Sequence, residues 1–288
     1  MRTYPDLVRE GEDSKAELVR VEREQARATV TLADPGRLNA LSTVLMVQLV
    51  AALQELAADP VIRTVILTGE DPAFSAGGDL AMIAEGSRAI RDHAQEADTS
   101  DAWRWIRHQF GGVVRTIAGS EKLFVAAING PAAGVGLAFA LACDVLIASD
   151  RAVLVPAFGR LGLVPEVGTS WLLTRRLGYQ GAIATYVRGR HIDAESALAL
   201  GLVQEVHPHE QLARAAAAWA EDAERLPRHA FAMTKSVLRE AADAPWHQAL
   251  SIEELAEANC FSTATLSEAA DAIRQSASGD SPAASAPR

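Results

Sequence analysis

The stretch spanning residues 124–150, FVAAINGPAAGVGLAFALACDVLIASD, leaves few folds open. The apolar run 124–128 reads as a buried strand and residues 129–131 break it. Small residues then open a helix that leads into a second buried run, 145–148. Gly134 and Gly136 let a ligand approach the backbone closely, and a helix starting there presents unpaired N–H groups at the positive end of its dipole. This is an oxygen-binding site made of main chain. It suits a phosphate and equally the oxyanion of a reacting carbonyl.

The same device occurs earlier. Residues 64–68 read as a strand that runs into Gly69-Glu-Asp-Pro-Ala-Phe-Ser-Ala-Gly-Gly-Asp-Leu80, a second glycine turn with a helical start behind it. Before it, 16–22 and 27–32 alternate apolar with polar residues as an antiparallel pair does. Ser42 is placed to cap a helix carrying Leu45, Leu49, Leu53 and Leu56 at helical spacing, stopped at Asp59-Pro60. The polar, aperiodic segment 85–100 predicts a mobile surface stretch. Residues 103–117 read as a helix with Trp103, Ile106, Phe110, Val113, Val114 and Ile117 on one face, Trp103 and Trp105 packing beneath it. A short strand at 153–154 and a glycine- and proline-rich loop at 159–171 follow. Helices with turns at Gly178, Gly189 and Gly201 come next. From 210 to 275 nearly everything reads helical, broken at Pro227 and Pro245. The expected division is a strand–turn–helix core over 1–205, a helical oligomerisation segment over 206–275 and a low-complexity, disordered tail over 276–288. The apolar faces of the helical segment exceed what one protomer covers, so an oligomer is expected.

Several function classes drop out. A composition 49% hydrophobic and 22% charged excludes disorder for most of the 288 residues, and a net charge of −10 argues against nucleic acid as partner. Cys143 and Cys260 supply neither a disulfide framework nor a metal set. With no apolar run of membrane length and no apolar leader at the N-terminus, a soluble cytoplasmic protein is expected. The third glycine of a dinucleotide fingerprint starting at Gly134 falls on Phe139, too large for that packing. Neither G-x-x-x-x-G-K-[ST] nor G-x-S-x-G occurs. His207-Pro208-His209 lacks a third ligand nearby and reads as a solvated loop, so no metal is expected.

Taken together, Leu38-Asn-Ala-Leu-Ser42, the turns 74–80 and 129–136, Leu161-Gly-Leu-Val-Pro165 and the helical C-terminus resemble the crotonase, or enoyl-CoA hydratase/isomerase, superfamily. The resemblance implies an α/β fold, a ββα spiral core with a helical C-terminal trimerisation segment, assembled as a homotrimer or a dimer of trimers. It implies an acyl-CoA thioester as substrate and no further cofactor. By motif, the peptide N–H groups that hold the thioester oxygen fall on Gly78 and Val135. Charge developing on that oxygen during deprotonation at Cα is what such donors stabilise. The resemblance also places Arg37, Leu38, Ala40, Ala76, Asp79, Leu80, Gly134, Phe158 and Leu161 around the bound thioester, with Arg37 toward a phosphate. Asp79 is suited to capping the helix behind it, and Asp144 reads as a structural group at a helix–strand junction. The family's C-terminal lysine that reaches CoA in a neighbouring subunit is matched by Ser276, with Arg274 close by.

Hydratases of the superfamily use two glutamates, and the matching positions are Ala138 and Phe158, neither of which moves a proton. The carboxylate that remains is Glu166, in a position resembling that of the single acid of the enoyl-CoA isomerase branch. Isomerisation of a 3-enoyl thioester needs one base. An apolar wall around it raises its pKa and excludes water. The expected enzyme is an enoyl-CoA isomerase using Glu166. The rivals are a hydratase or other lyase using Glu166 and water, and a catalytically silent acyl-CoA-binding or assembly subunit.

Overall fold

Six strands make the main sheet in a computed structural model of the protein, which describes residues 3–91 and 99–277. After α1 (Tyr4–Asp13), β1 (Val19–Glu24) pairs antiparallel with β2 (Arg27–Leu32), Val21 facing Val30. α2 (Thr43–Ala58) starts at Ser42, whose hydroxyl accepts the Leu45 N–H at 3.4 Å, and buries its four leucines. β3 (Thr64–Gly69) lies parallel to β2 and leads through the first glycine turn to α3 (Leu80–Arg91). α4 (Thr99–Trp105), a π turn over Ile106–Phe110, and α5 (Gly111–Gly119) follow. Then come β4 (Leu123–Ile128), the short β5 (Pro131–Ala133), α6 (Val135–Ala142), β6 (Val145–Ser149) and β7 (Val153–Val155). The chain continues through α7 (Thr169–Arg188), β8 (Ile192–Asp193), α8 (Ala194–Ala199), β9 (Glu205–His207) and α9 (Leu212–Arg225).

The main sheet runs β1-β2-β3-β4-β6-β9, parallel from β2 onward. Its inner strands β4 and β6 are buried at every position, as strands covered on both faces must be, and read as unbroken apolar runs. β2 instead alternates, burying Ala28, Val30 and Leu32. The edge strand β1 carries Arg20, Glu22, Arg23 and Glu24, charges that discourage pairing with another chain. A second sheet, β5-β7-β8, is small and branches off behind β4.

Three expectations need correction. The segment 85–100 is helical as far as Arg91 and again from Thr99; residues 92–98 lie outside the described ones. Trp103 is 57% exposed, whereas Trp105 is buried and meets Phe110 edge to face at 6.2 Å. Residues five apart in an α-helix diverge by about 140°; the wider π turn between these two brings them onto one side. The 207–209 segment is no solvated loop. His209 Nε2 lies 2.9 Å from the Asp71 carboxylate and its Nδ1 3.2 Å from the Asn129 carbonyl, while the Asn129 amide donates to Asp71 at 2.9 Å. These contacts, Asn129 foremost, hold the Asp71 carboxyl below its usual range. The turn expected at Gly178 is present: its φ of +68° and ψ of 167° are non-helical and break α7 into two helical stretches.

The chain divides into two compact units, residues 1–224 and 225–288. α9 buries Leu212, Ala216, Ala220 and Ala223. The second unit contains α10 (Arg228–Ala241), α11 (Trp246–Cys260) and α12 (Ala264–Ala277), with Pro227 and Pro245 as the N-caps of the first two. From the tail expected at 276–288, the first two residues end α12 and the rest lie outside the described residues. Among the described residues no helix is long and apolar enough to cross a membrane.

Candidate active site

Three segments distant in sequence are joined by main-chain hydrogen bonds. The Phe74 and Ser75 N–H groups both donate to the Pro131 carbonyl, at 3.0 and 3.1 Å, and Ala133 N–H donates to the Ser75 carbonyl at 2.8 Å. On the other side Ala76 N–H donates to Leu38 C=O and Leu41 N–H to Gly77 C=O, each at 2.8 Å. So close an approach requires glycine at the seam. A Cβ on Gly77, where φ is +85°, would sit 2.5 Å from the Ala133 oxygen, and one on Gly136 would sit 2.7 Å from Ser75 Cβ. Asn39, fully buried with φ +55°, pins the corner. Its amide donates to the Glu70 and Ala73 carbonyls at 2.7 Å, and its Oδ1 accepts the Asp34 N–H at 2.9 Å.

This joinery leaves the N–H groups of Gly78 and Val135 with no acceptor among the described residues. Val135 is the first residue of α6, where helix geometry supplies no acceptor, so its amide adds to the positive end of the helix dipole. Both residues line one cavity of about 250 Å³.

Glu166 lines the same cavity, from the turn that precedes α7. Thr169 N–H donates to the Glu166 carbonyl at 2.9 Å, and Val167 and Gly168 follow with φ of +47° and +88°. A β-branched residue at positive φ is strained by roughly 1–3 kcal/mol. Packing of Val167 against the core holds it there. The Glu166 carboxylate has no hydrogen-bond or ion-pair partner among the described residues, and burial pushes its carboxyl above the usual carboxylate range. Around it the lining is apolar apart from Arg160, and Phe158 on it is 3% exposed; Ala138, expected in the same wall, is fully buried on α6 and does not line the cavity.

Of the positions singled out in the sequence, Gly78, Val135, Glu166, Ala76, Leu80, Gly134, Phe158 and Leu161 come together on this cavity. Arg37, Leu38, Ala40 and Asp79 do not line it. Leu38, exposed and at φ +53°, and half-buried Ala40 belong to the strip that backs Ala76. Arg37 donates to the Asp79 carboxylate at 2.6 Å, which raises the guanidinium pKa further. Burial opposes ionisation of Asp79, but Arg37 and the Met82 and Ala81 N–H groups outweigh it and leave the carboxyl below its usual range. Asp79 therefore caps the start of α3, accepting from Ala81 and Met82 at 3.0 and 3.4 Å. Asp144 accepts the Phe124 N–H at 2.9 Å, a brace between α6 and β4.

The enoyl-CoA hydratase/isomerase family model matches residues 22–275. The chain belongs to the enoyl-CoA hydratase/isomerase family. It is 30% identical over 223 residues to 4-chlorobenzoyl coenzyme A dehalogenase-2 of an Arthrobacter species, covering 77% of this chain and 78% of that one. To the 1,2-epoxyphenylacetyl-CoA isomerase of Escherichia coli K12 it is 33% identical over 206 residues, 72% of this chain and 73% of that one. The crystal structure of an enoyl-CoA hydratase from Bacillus anthracis superposes with a TM-score of 0.79 at 27% identity, covering 90% of this chain and 97% of that one. The fold is thus the crotonase fold, and the protein is an enzyme of the enoyl-CoA hydratase/isomerase family acting on an acyl-CoA.

Sequence reading missed Ile83, Val155, Ala157, Arg160, Leu163 and Gly189 on the cavity wall. Val155 and Ala157 carried a signal, since alternate positions leaving β7 share a side. Gly189, which ends α7 at φ +51°, reaches the cavity only through the path of the whole helix.

Proposed function

We propose that this family member is an enoyl-CoA isomerase that moves the double bond of a 3-enoyl-CoA to the 2-position. The observation that carries the reading is Glu166, an unpaired and desolvated carboxylate and the only acidic residue on the cavity wall among the described residues. The Glu166 carboxylate removes a proton from Cα of the 3-enoyl thioester. The electron pair moves onto the thioester oxygen, giving a dienolate with its charge between the Gly78 and Val135 N–H groups. The protonated Glu166 then returns the proton to C4, the thioester carbonyl re-forms, and the atoms balance with no water and no further cofactor. Each main-chain donor of this kind lowers the barrier by about 3 kcal/mol. The apolar wall at Phe158 supports the reading twice, by raising the basicity of Glu166 and by offering no second acid to activate a water. Arg37, through Asp79 at the head of α3, steadies the turn bearing Gly78, and the strip at Leu38 and Ala40 backs it. The protein acts in the cytoplasm as a homotrimer or a dimer of trimers.

The test is Glu166→Gln. Isomerisation of 3-enoyl-CoA falls by roughly 10²–10⁴, while affinity for a saturated acyl-CoA is retained. Rapid hydration of 2-enoyl-CoA by both forms would remove Glu166 from the chemistry. Absence of any proton exchange at Cα in the wild type would leave a silent binding subunit.

A further inference from the structure

A second cavity, about 210 Å³ and lined almost wholly by apolar and aromatic side chains, lies against α7. The segment from Val155 to Glu166 separates it from the Glu166 cavity and is one layer thick. Val155, Ala157 and Glu166 line the first cavity, Pro156 and Pro165 the second, and Phe158 alone lines both. Phe158 is almost fully buried where the two walls meet, and Tyr186, which donates to the Leu163 carbonyl at 3.2 Å, lines the second cavity.

We propose that the second cavity is a subsite for the distal end of a hydrocarbon acyl chain, closed off in this enzyme by Phe158, which makes Phe158 the residue that sets acyl chain length. The inference rests on the acyl-CoA reading of the Glu166 cavity. Two features select a hydrocarbon tail as occupant. Phe158 is the one residue common to the two walls, and the lining of the second cavity offers no charged group to hold a polar ligand. Each additional buried methylene favours binding by about fourfold, so a wall that stops the chain early leaves a steep signature in chain-length dependence.

The experiment compares wild type, Phe158→Ala, Phe158→Leu and Phe158→Ala combined with Ala182→Phe, Ala182 lying on the wall of the second cavity. Dissociation constants are measured calorimetrically for hexanoyl-, decanoyl- and tetradecanoyl-CoA, and kcat/KM for the corresponding 3-enoyl-CoA esters. The expected result is a wild type that favours the short ester and a Phe158→Ala enzyme whose preference moves toward decanoyl by about tenfold or more. Phe158→Leu lies between them, and it carries the test by itself if the alanine variant does not fold. Ala182→Phe cancels the gain in the double variant. Identical chain-length profiles in wild type and both Phe158 variants, or a gain that survives Ala182→Phe, would overturn the subsite while leaving the isomerase reading intact. Failure of the wild type to bind any of the three esters would overturn the acyl-CoA reading itself.

Discussion

At the scale of one residue, Glu166 combines two demands that pull apart. A base must be ionised, yet burial favours its neutral form. The acid limb of kcat/KM for isomerisation accordingly lies above the ordinary carboxylate range, and a pH–rate profile reads it directly. The same burial acts on stability. Below the unfolded value, near 4.5, both states hold the proton and there is no cost. As pH rises from there to the higher folded value, the native state keeps its proton longer than the unfolded chain does, so stability falls, and the cost is complete above that window. Glu166→Gln has no proton to lose. It melts above wild type at neutral pH, and the difference closes as the pH falls back through the window; an unchanged melting curve at pH 7 would contradict a desolvated carboxylate. The strained Val167 beside it belongs to the same compromise, with packing energy holding a turn that local preference resists.

At the scale of elements, the seam between the turns at 74–78 and 131–135 concentrates the constraint. Gly77→Ala adds a methyl where an oxygen lies 2.5 Å away and φ is +85°. It should cost at least about 2 kcal/mol, seen as a lower urea midpoint, and should lower kcat because Gly78 moves with its neighbour. Strands and helices of this chain were readable because they obey short-range rules: β4 and β6 as unbroken apolar runs, α2 from Ser42 and its leucines. The helix through Trp103 and Trp105 was misread because a π turn has no compositional marker and rotates everything past it. His209 was misread for another reason. Its partners Asp71 and Asn129 are distant in sequence, and only the fold makes them neighbours.

For the whole molecule, both turns and the acid were legible as motifs, whereas the cavity joining them was not. Its wall draws on β7, the loop after it and the last turn of α7, pieces that share no local pattern. The second unit exposes Trp246, Leu255 and Phe261, large apolar side chains in contact with water in a single chain. If the proposed trimer covers them, sedimentation gives three or six chains per particle and Leu255→Glu shifts it toward monomer; a monomeric wild type at micromolar concentration would contradict that assembly. Main-chain donors and side-chain acids also drift differently. A peptide N–H outlasts nearly every codon change at its own position, since only proline deletes it, while an acid is lost in a single step. A lineage founded on this seam inherits its two amides by default and is free to relocate its proton chemistry.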